Sequence, residues 1–281
     1  MLRPTLTRAC LVVAAIASSI ALLPSAAEAQ SSTRSQNWAG YALHGQAFQG
    51  VSARWRQPYA TCGSKTTYSA MWVGLGGYAL TSTTVEQVGT ELDCVGGRPR
   101  SSGWFELAPS PAHTIHVGLR PGDLVSASVT TSRGQVTVAI SDLTSNHTFQ
   151  RTVSPNGQPL DLSSAEWILE APSECILGTS ACQTLPLADF NSARFTAAHA
   201  QPIGGTVGTI STAGGETTKI SLGPKGPVYI TNHPGEVPVG TATPSSLSSD
   251  GSSFAVTFAR RYTSGGLLFG SRARGRTYLR H

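Results

Sequence analysis

Short runs in which apolar and polar residues alternate, each closed by Gly, Pro, Ser or Asn, recur along nearly the whole chain. Alternation with a period of two puts successive side chains on opposite faces of a strand, so these runs predict strands rather than helices. Such runs lie at residues 38–43, 51–55, 70–75, 84–89 and 103–107, and the segment 123–153 is the clearest. Residues 124–131 and 135–140 flank Ser132-Arg133-Gly134, a hairpin signal, and residues 148–153 continue as a third strand. Further strands are predicted at 165–170, 193–197, 206–210, 219–222 and 254–258. Lys, Glu and Leu do not recur at helical spacing. About a dozen short strands with frequent turns predict an all-β sandwich, and the lack of an internal repeat argues against a propeller or solenoid.

The first thirty residues follow a different pattern. Arg3 and Arg8 precede an apolar run that ends in small residues at Ala27-Glu28-Ala29. A basic start, an apolar segment and an A-x-A site predict a secretory signal peptide at residues 1–29. Ser18, Ser19 and Pro24 interrupt the run, which makes it a poor membrane span. About 250 residues then remain, enough for one large β domain, here placed at residues 30–262. Residues 263–281 are expected to form a basic tail.

Four cysteines follow the cleavage site: Cys62, Cys94, Cys175 and Cys182. In an oxidising destination an even number implies disulfides, and three pairings are possible. Cys62–Cys94 and Cys175–Cys182 are favoured, because the second pair is close and encloses Gly178-Thr179-Ser180. The formal charge of +5 misleads about the folded body. Six arginines crowd the acid-free last 22 residues, whereas residues 30–259 carry 12 basic and 14 acidic side chains. No basic face is indicated, so no nucleic-acid partner is expected. Nor is a membrane partner expected once the signal is removed, and a monomer is the default. Asn146-His147-Thr148 is a glycosylation sequon.

Familiar catalytic signatures are missing. There is no Gly-x-Ser-x-Gly elbow, and His113-Thr114-Ile115-His116 lacks the Glu of a zinc-protease helix, so no metal or other cofactor is expected. Carboxylates are scarce, which draws attention to Glu106, Glu166 and Glu170 inside apolar or aromatic strands. In a strand, Glu166, Ile168 and Glu170 share one face while Trp167 and Leu169 share the other. Taken alone, that pattern describes the solvent face of a half-buried strand, and Gln87 in its own strand reads as a surface residue.

The combination is more telling. Asn37-Trp38-Ala39-Gly40, Trp72-Val73-Gly74-x-x-Gly77, Gln87-x-Gly89, Trp104-Phe105-Glu106 and Ala165-Glu166-Trp167-Ile168-x-Glu170 occur in that order. Together they closely resemble the glutamic peptidases, the eqolisin family of secreted acid endopeptidases. The resemblance implies a sandwich of two curved antiparallel sheets, of the concanavalin A-like or jelly-roll type. It also implies a catalytic pair of Gln87 and Glu166, with Trp72, Glu106, Trp104 and Trp38 as substrate-binding or supporting residues. Glu170 matches a second acidic position, and the Cys175–Cys182 pair also fits the family pattern. Two departures stand out: Gly76 where the family often has Asp, and Val88 where it has a small hydroxyl residue.

The implied activity is water-mediated hydrolysis of protein or peptide substrates by a secreted, pepstatin-insensitive enzyme with an acidic optimum. The rival is a carbohydrate-active or carbohydrate-binding sandwich using paired carboxylates. Glu166 and Glu170 would lie about 13 Å apart along a strand, which suits neither glycosidase geometry.

Overall fold

The computed structural model describes residues 31–155, 157, 159–176, 182–223, 238–262 and 278–280. The expected signal peptide, most of the basic tail and the turn at residues 178–180 lie outside the described residues. No helix occurs among the described residues.

The strands are β1 (Ser31–Ser35), β2 (Trp38–His44), β3 (Phe48–Arg56), β4 (Ala70–Leu75), β5 (Val85–Val95), β6 (Arg98–Ala108), β7 (His113–Ile115), β8 (Leu124–Ser132), β9 (Gln135–Asp142) and β10 (His147–Val153). They continue with β11 (Ser164–Glu170), β12 (Ser173–Ile176), β13 (Cys182–Thr184), β14 (Ser192–Pro202), β15 (Gly208–Thr209), β16 (Glu216–Leu222), β17 (Pro238–Pro244), β18 (Phe254–Tyr262) and β19 (Tyr278–Arg280).

The all-β expectation holds, and the curved pairing is antiparallel except where β1 runs parallel to β16. Two separate sheets are not what forms. Hydrogen bonding runs unbroken as β10-β9-β8-β3-β14-β18-β17-β16-β2-β11-β4-β5-β6-β7, and β13-β12-β19 forms a small second sheet. The long path doubles back, so that β4 and β5 pack over β3, β8 and β9. Register shifts in β14, between Thr196 and His199 and between Gln201 and Pro202, mark irregularities of the kind that bend a strand.

The main core fills the fold between these layers. Tyr41, Trp55, Trp167, Phe195 and Phe254 are fully buried there. Their polar tips are satisfied: Trp55 Nε1 donates to Thr90 Oγ1 at 3.0 Å, Trp167 Nε1 to the Ser52 carbonyl at 2.9 Å, and the Tyr41 hydroxyl to the Ser245 carbonyl at 2.7 Å. A smaller cluster of Ala42, Ala70, Trp72, Ile168 and Ile220 lies on the other face of β16-β2-β11-β4.

Local expectations held where a turn or an apolar alternation was strong. The β8–β9 hairpin pairs Ser132 with Gln135 around Arg133 (φ 51°) and Gly134 (φ 73°), two left-handed residues of the kind a tight hairpin needs. The strand expected at 206–210 shrinks to Gly208–Thr209. There the Thr209 N–H bonds Thr212 Oγ1 at 2.8 Å and the Thr209 carbonyl accepts from the Ala213 N–H at 2.9 Å, so a turn replaces ladder pairing. Cys62–Cys94 forms as expected, tying the segment after β3 to β5. Closing a 32-residue loop in this way stabilises by about 4 kcal/mol in the chain-entropy account. The β12–β13 register sets Cys175 opposite Cys182, but the side chains, and so the expected bond, lie outside the described residues.

Candidate functional site

Strand β11 sits between β2 and β4, and this placement assembles the site. Glu166 pairs with Gly74 of β4, Gly74 with Gln87 of β5, and Gln87 with Glu106 of β6. Directly opposed residues share a face, so Glu166, Gln87 and Glu106 point the same way along one row. The next row contains Ile168, Trp72, Gly89 and Trp104, and the one beyond it Trp38, Glu170 and Ala70. The side chains expected at the site are therefore gathered on one face from five strands.

Gly74 separates the two central residues. Glu166 and Gln87 stand two strand spacings apart, about 10 Å between backbones. A Cβ on Gly74 would come within 2.9 Å of Trp72 Cζ3 and 3.3 Å of Gln87 Cβ, so only glycine keeps the intervening space open.

The expectation of solvent-facing carboxylates for the bare strand pattern is overturned. Both faces of β11 are buried: Trp167 and Leu169 enter the main core while Ile168 joins the smaller cluster. Glu166 is 0 % exposed, Glu106 1 %, Gln87 4 % and Glu170 5 %. Half-buried Trp38, Tyr78 and Trp104 pack at the rim, with Trp38 edge-on to Trp72 at 5.0 Å.

Gln87 Nε2 donates to Glu106 Oε2 at 2.7 Å, which fixes which end of the amide faces which way. Trp72 Nε1 donates to Glu170 Oε2 at 2.7 Å and Asn37 Nδ2 to Glu170 Oε1 at 2.9 Å. Glu170 thus anchors the Trp72 indole. At the site, Gln87 Oε1, both carboxyl oxygens of Glu166 and the nearby Ser164 Oγ have no partner at hydrogen-bonding geometry. Unpaired buried polar atoms are rare and call for an explanation.

Burial is the main reason that Glu166 holds its proton well above the ordinary glutamate range; the Ser164 hydroxyl pulls the other way, and the charges of Asp161 and Glu86 reinforce the rise. Glu170 is pushed up to about 7, by burial first and then by the charge of Glu106, against the opposing bonds from Trp72 and Asn37.

Several participants were not predicted. Asn37 belongs to a quoted motif, yet its bond to Glu170 depends on β2 lying beside β11. Glu86 is 2 % exposed and faces the side opposite to Gln87; burial and the nearby Asp161 raise it to about 8. Its position between Val85 and Gln87 in an alternating run was the available signal. Asp161 had none, because it lies in the loop before β11. Its backbone and Cβ fill the space that a side chain at Gly76 (φ 78°) would need.

The Peptidase A4 family model matches residues 36–233. The chain belongs to the Peptidase A4 family. It is 26 % identical to aspergillopepsin-2 of Aspergillus niger over 196 residues, 62 % of this chain and 67 % of that protein. It is 30 % identical to scytalidopepsin B of Scytalidium lignicola over 168 residues, 59 % of this chain and 63 % of that protein. The match thus spans about two thirds of each of these relatives. Among solved structures, scytalido-glutamic peptidase with a transition state analog inhibitor has a TM-score of 0.62 at 24 % identity, covering 80 % of this chain and 98 % of that one. SCP-B, an eqolisin in complex with the tripeptide Ala-Ile-His, gives 0.54 at 25 % identity over 80 % and 98 %. Aspergilloglutamic peptidase from Aspergillus niger gives 0.53 at 24 % identity over 69 % and 99 %. Every A4 motif named from the sequence lies within the matched residues.

Proposed function

We propose that this A4 family member is a secreted acid endopeptidase in which Glu166 and Gln87 act on a water between them. The observation that carries the reading is the row itself. Unpaired oxygens of Glu166 and Gln87 lie on one face across a residue with no side chain. They offer acceptors to the hydrogens of a water, while Gln87 Nε2 is the donor that a peptide carbonyl requires.

Glu166 acts through its ionised form, the minor one in acid because burial retains its proton: it takes a proton from the water, whose oxygen attacks the scissile carbonyl carbon. Gln87 Nε2 gives one hydrogen to Glu106 and has a second for the developing oxyanion. Glu166 then delivers its proton to the amide nitrogen as the C–N bond breaks, and returns to the carboxylate. Glu106 orients Gln87, Trp72 floors the site, and Trp38 and Trp104 offer aromatic surface to an extended peptide. The tripeptide and transition-state-analog complexes of the relatives support a peptide substrate.

Buried acids support the acidic optimum. Glu170 and Glu86 keep their protons in the folded state up to about 7 and about 8. A carboxyl raised in this way favours the fold fully below its unfolded value, and the contribution disappears as pH rises through the folded value. Secretion is supported by the Cys62–Cys94 disulfide together with the signal-peptide pattern. The domain is taken as residues 30–262 and as a monomer. The carbohydrate reading is not favoured, because Glu106 and Glu170 are committed to Gln87, Trp72 and Asn37.

The test is digestion of denatured haemoglobin or casein from pH 2 to 8 in the presence of pepstatin. Acid-restricted, pepstatin-resistant cleavage that disappears in both Glu166→Gln and Gln87→Ala is expected. A folded wild-type protein that cuts nothing at any pH would end the peptidase reading.

A further inference from the structure

We propose that Asp161 is a positioning residue of the peptidase centre, which ties the end of β4, the loop into β5 and the entry to β11 together and whose charge acts on Glu166. The inference rests on the peptidase reading above and adds a residue outside all of the motifs that suggested it.

The geometry lies in the loop between β4 and β5 and the segment leading into β11. Asp161 Oδ2 accepts from the Gly77 N–H at 3.2 Å and from the Ser82 hydroxyl; Oδ1 accepts from the Ser163 N–H at 2.9 Å. The Asp161 N–H donates to Thr84 Oγ1 at 3.1 Å, and the Gly76 N–H donates to the Ser164 carbonyl at 3.1 Å. Gly76 and Gly77 directly follow β4, Thr84 directly precedes β5, and Ser163 directly precedes β11, which opens at Ser164. The carboxylate therefore links the end of β4, the β4–β5 loop and the entry to β11, and the Asp161 backbone N–H adds Thr84 just before β5. Gly76 belongs to the same knot: at φ 78°, a Cβ there would lie 2.4 Å from the Asp161 carbonyl oxygen. Tyr78, at the rim of the site, is carried by the same loop.

Burial opposes the charge on Asp161, but bonds from Ser163, Ser82 and Gly77 outweigh it and hold the group below the usual aspartate range. It therefore stays anionic in acid, where its charge disfavours ionisation of Glu166. The other ionisable groups around Glu166 are Glu86 on β5, Glu106 on β6 and Glu170 at the far end of β11, while β4 presents only glycine and apolar side chains. On β2 and β16 stand His44, Glu216 and Lys219; β3 and β14 carry exposed Arg54, Arg56 and Arg194 and half-buried His199.

The experiment compares wild type, Asp161→Asn and Asp161→Ala. Titration of the Glu166 carboxyl is followed by carbon-13 NMR, with Glu166→Gln assigning the signal, alongside pH profiles of kcat/KM. In Asp161→Asn a carbonyl can still face Gly77 and Ser82, so the fold should persist. Both the Glu166 titration and the acid limb should move down, because a like charge that disfavours ionisation of Glu166 is removed. Asp161→Ala also loses the knot, and its kcat should fall about tenfold or more with a smaller change in KM. Wild-type titration of Glu166 in Asp161→Asn overturns the proposal, whether or not the alanine variant folds. Wild-type kcat in a folded Asp161→Ala overturns it as well. The NMR readout does not need turnover, so a wild type without peptidase activity would sink the parent reading while leaving the Asp161 coupling separately measured.

Discussion

Glu86 makes the fold itself sensitive to pH, and the size of the effect can be worked out. Its carboxyl is 2 % exposed and lies on the core side of β5, with its titration raised from 4.5 to about 8. Between those values the folded state binds a proton that the unfolded chain releases. Stability from this group is therefore complete below about pH 4.5 and declines as pH rises towards 8. At about 1.4 kcal/mol per pH unit the decline reaches about 4 kcal/mol by pH 8, a large share of a typical folding free energy. Glu86→Gln keeps the shape and removes the proton, so its stability should lack that portion of the fall. The assay is urea unfolding followed by tryptophan fluorescence at pH 4, 6 and 8, with both proteins in a Glu166→Gln background to prevent self-digestion. The stability difference between the two should change by about 4 kcal/mol from pH 4 to pH 8. A difference that stays constant within about 1 kcal/mol would falsify the assignment of the buried proton to Glu86.

Gly74→Ala places a methyl group between Glu166 and Gln87, against Trp72; kcat/KM should drop about 100-fold while circular dichroism stays native, and near-wild-type turnover would show that the gap is not needed. Replacing Glu106 by Leu removes the acceptor that orients Gln87, and kcat should fall about tenfold or more; Glu106→Gln, which keeps an acceptor oxygen, should recover part of it, and equal losses in both would argue against orientation. Removing the Cys62–Cys94 bridge with paired serines should destabilise by about 4 kcal/mol in denaturant melts at acid pH, with the cleavage pattern unchanged.

Alternation along the backbone is a local property, and it was legible. Period two identified the strands, placed Glu166, Ile168 and Glu170 on one face, and set Arg133-Gly134 at a hairpin tip before any contact was known. The order of five short motifs identified the family, because their residue types and sequence could be read without coordinates. The sequence did not show which strands are neighbours. Glu166 meets Gly74 and Gln87 across gaps of many residues because β11 inserts between β2 and β4, a pairing decided by burial on both faces rather than by local preference. That insertion turned an apparently solvent-facing carboxylate into a buried one, made one unbroken sheet where two were expected, and brought a loop aspartate to the ends of three strands. Alternation reports which way a side chain points, whereas its surroundings come from segments distant in sequence, so its protonation and its chemistry were decided only when the chain closed on itself.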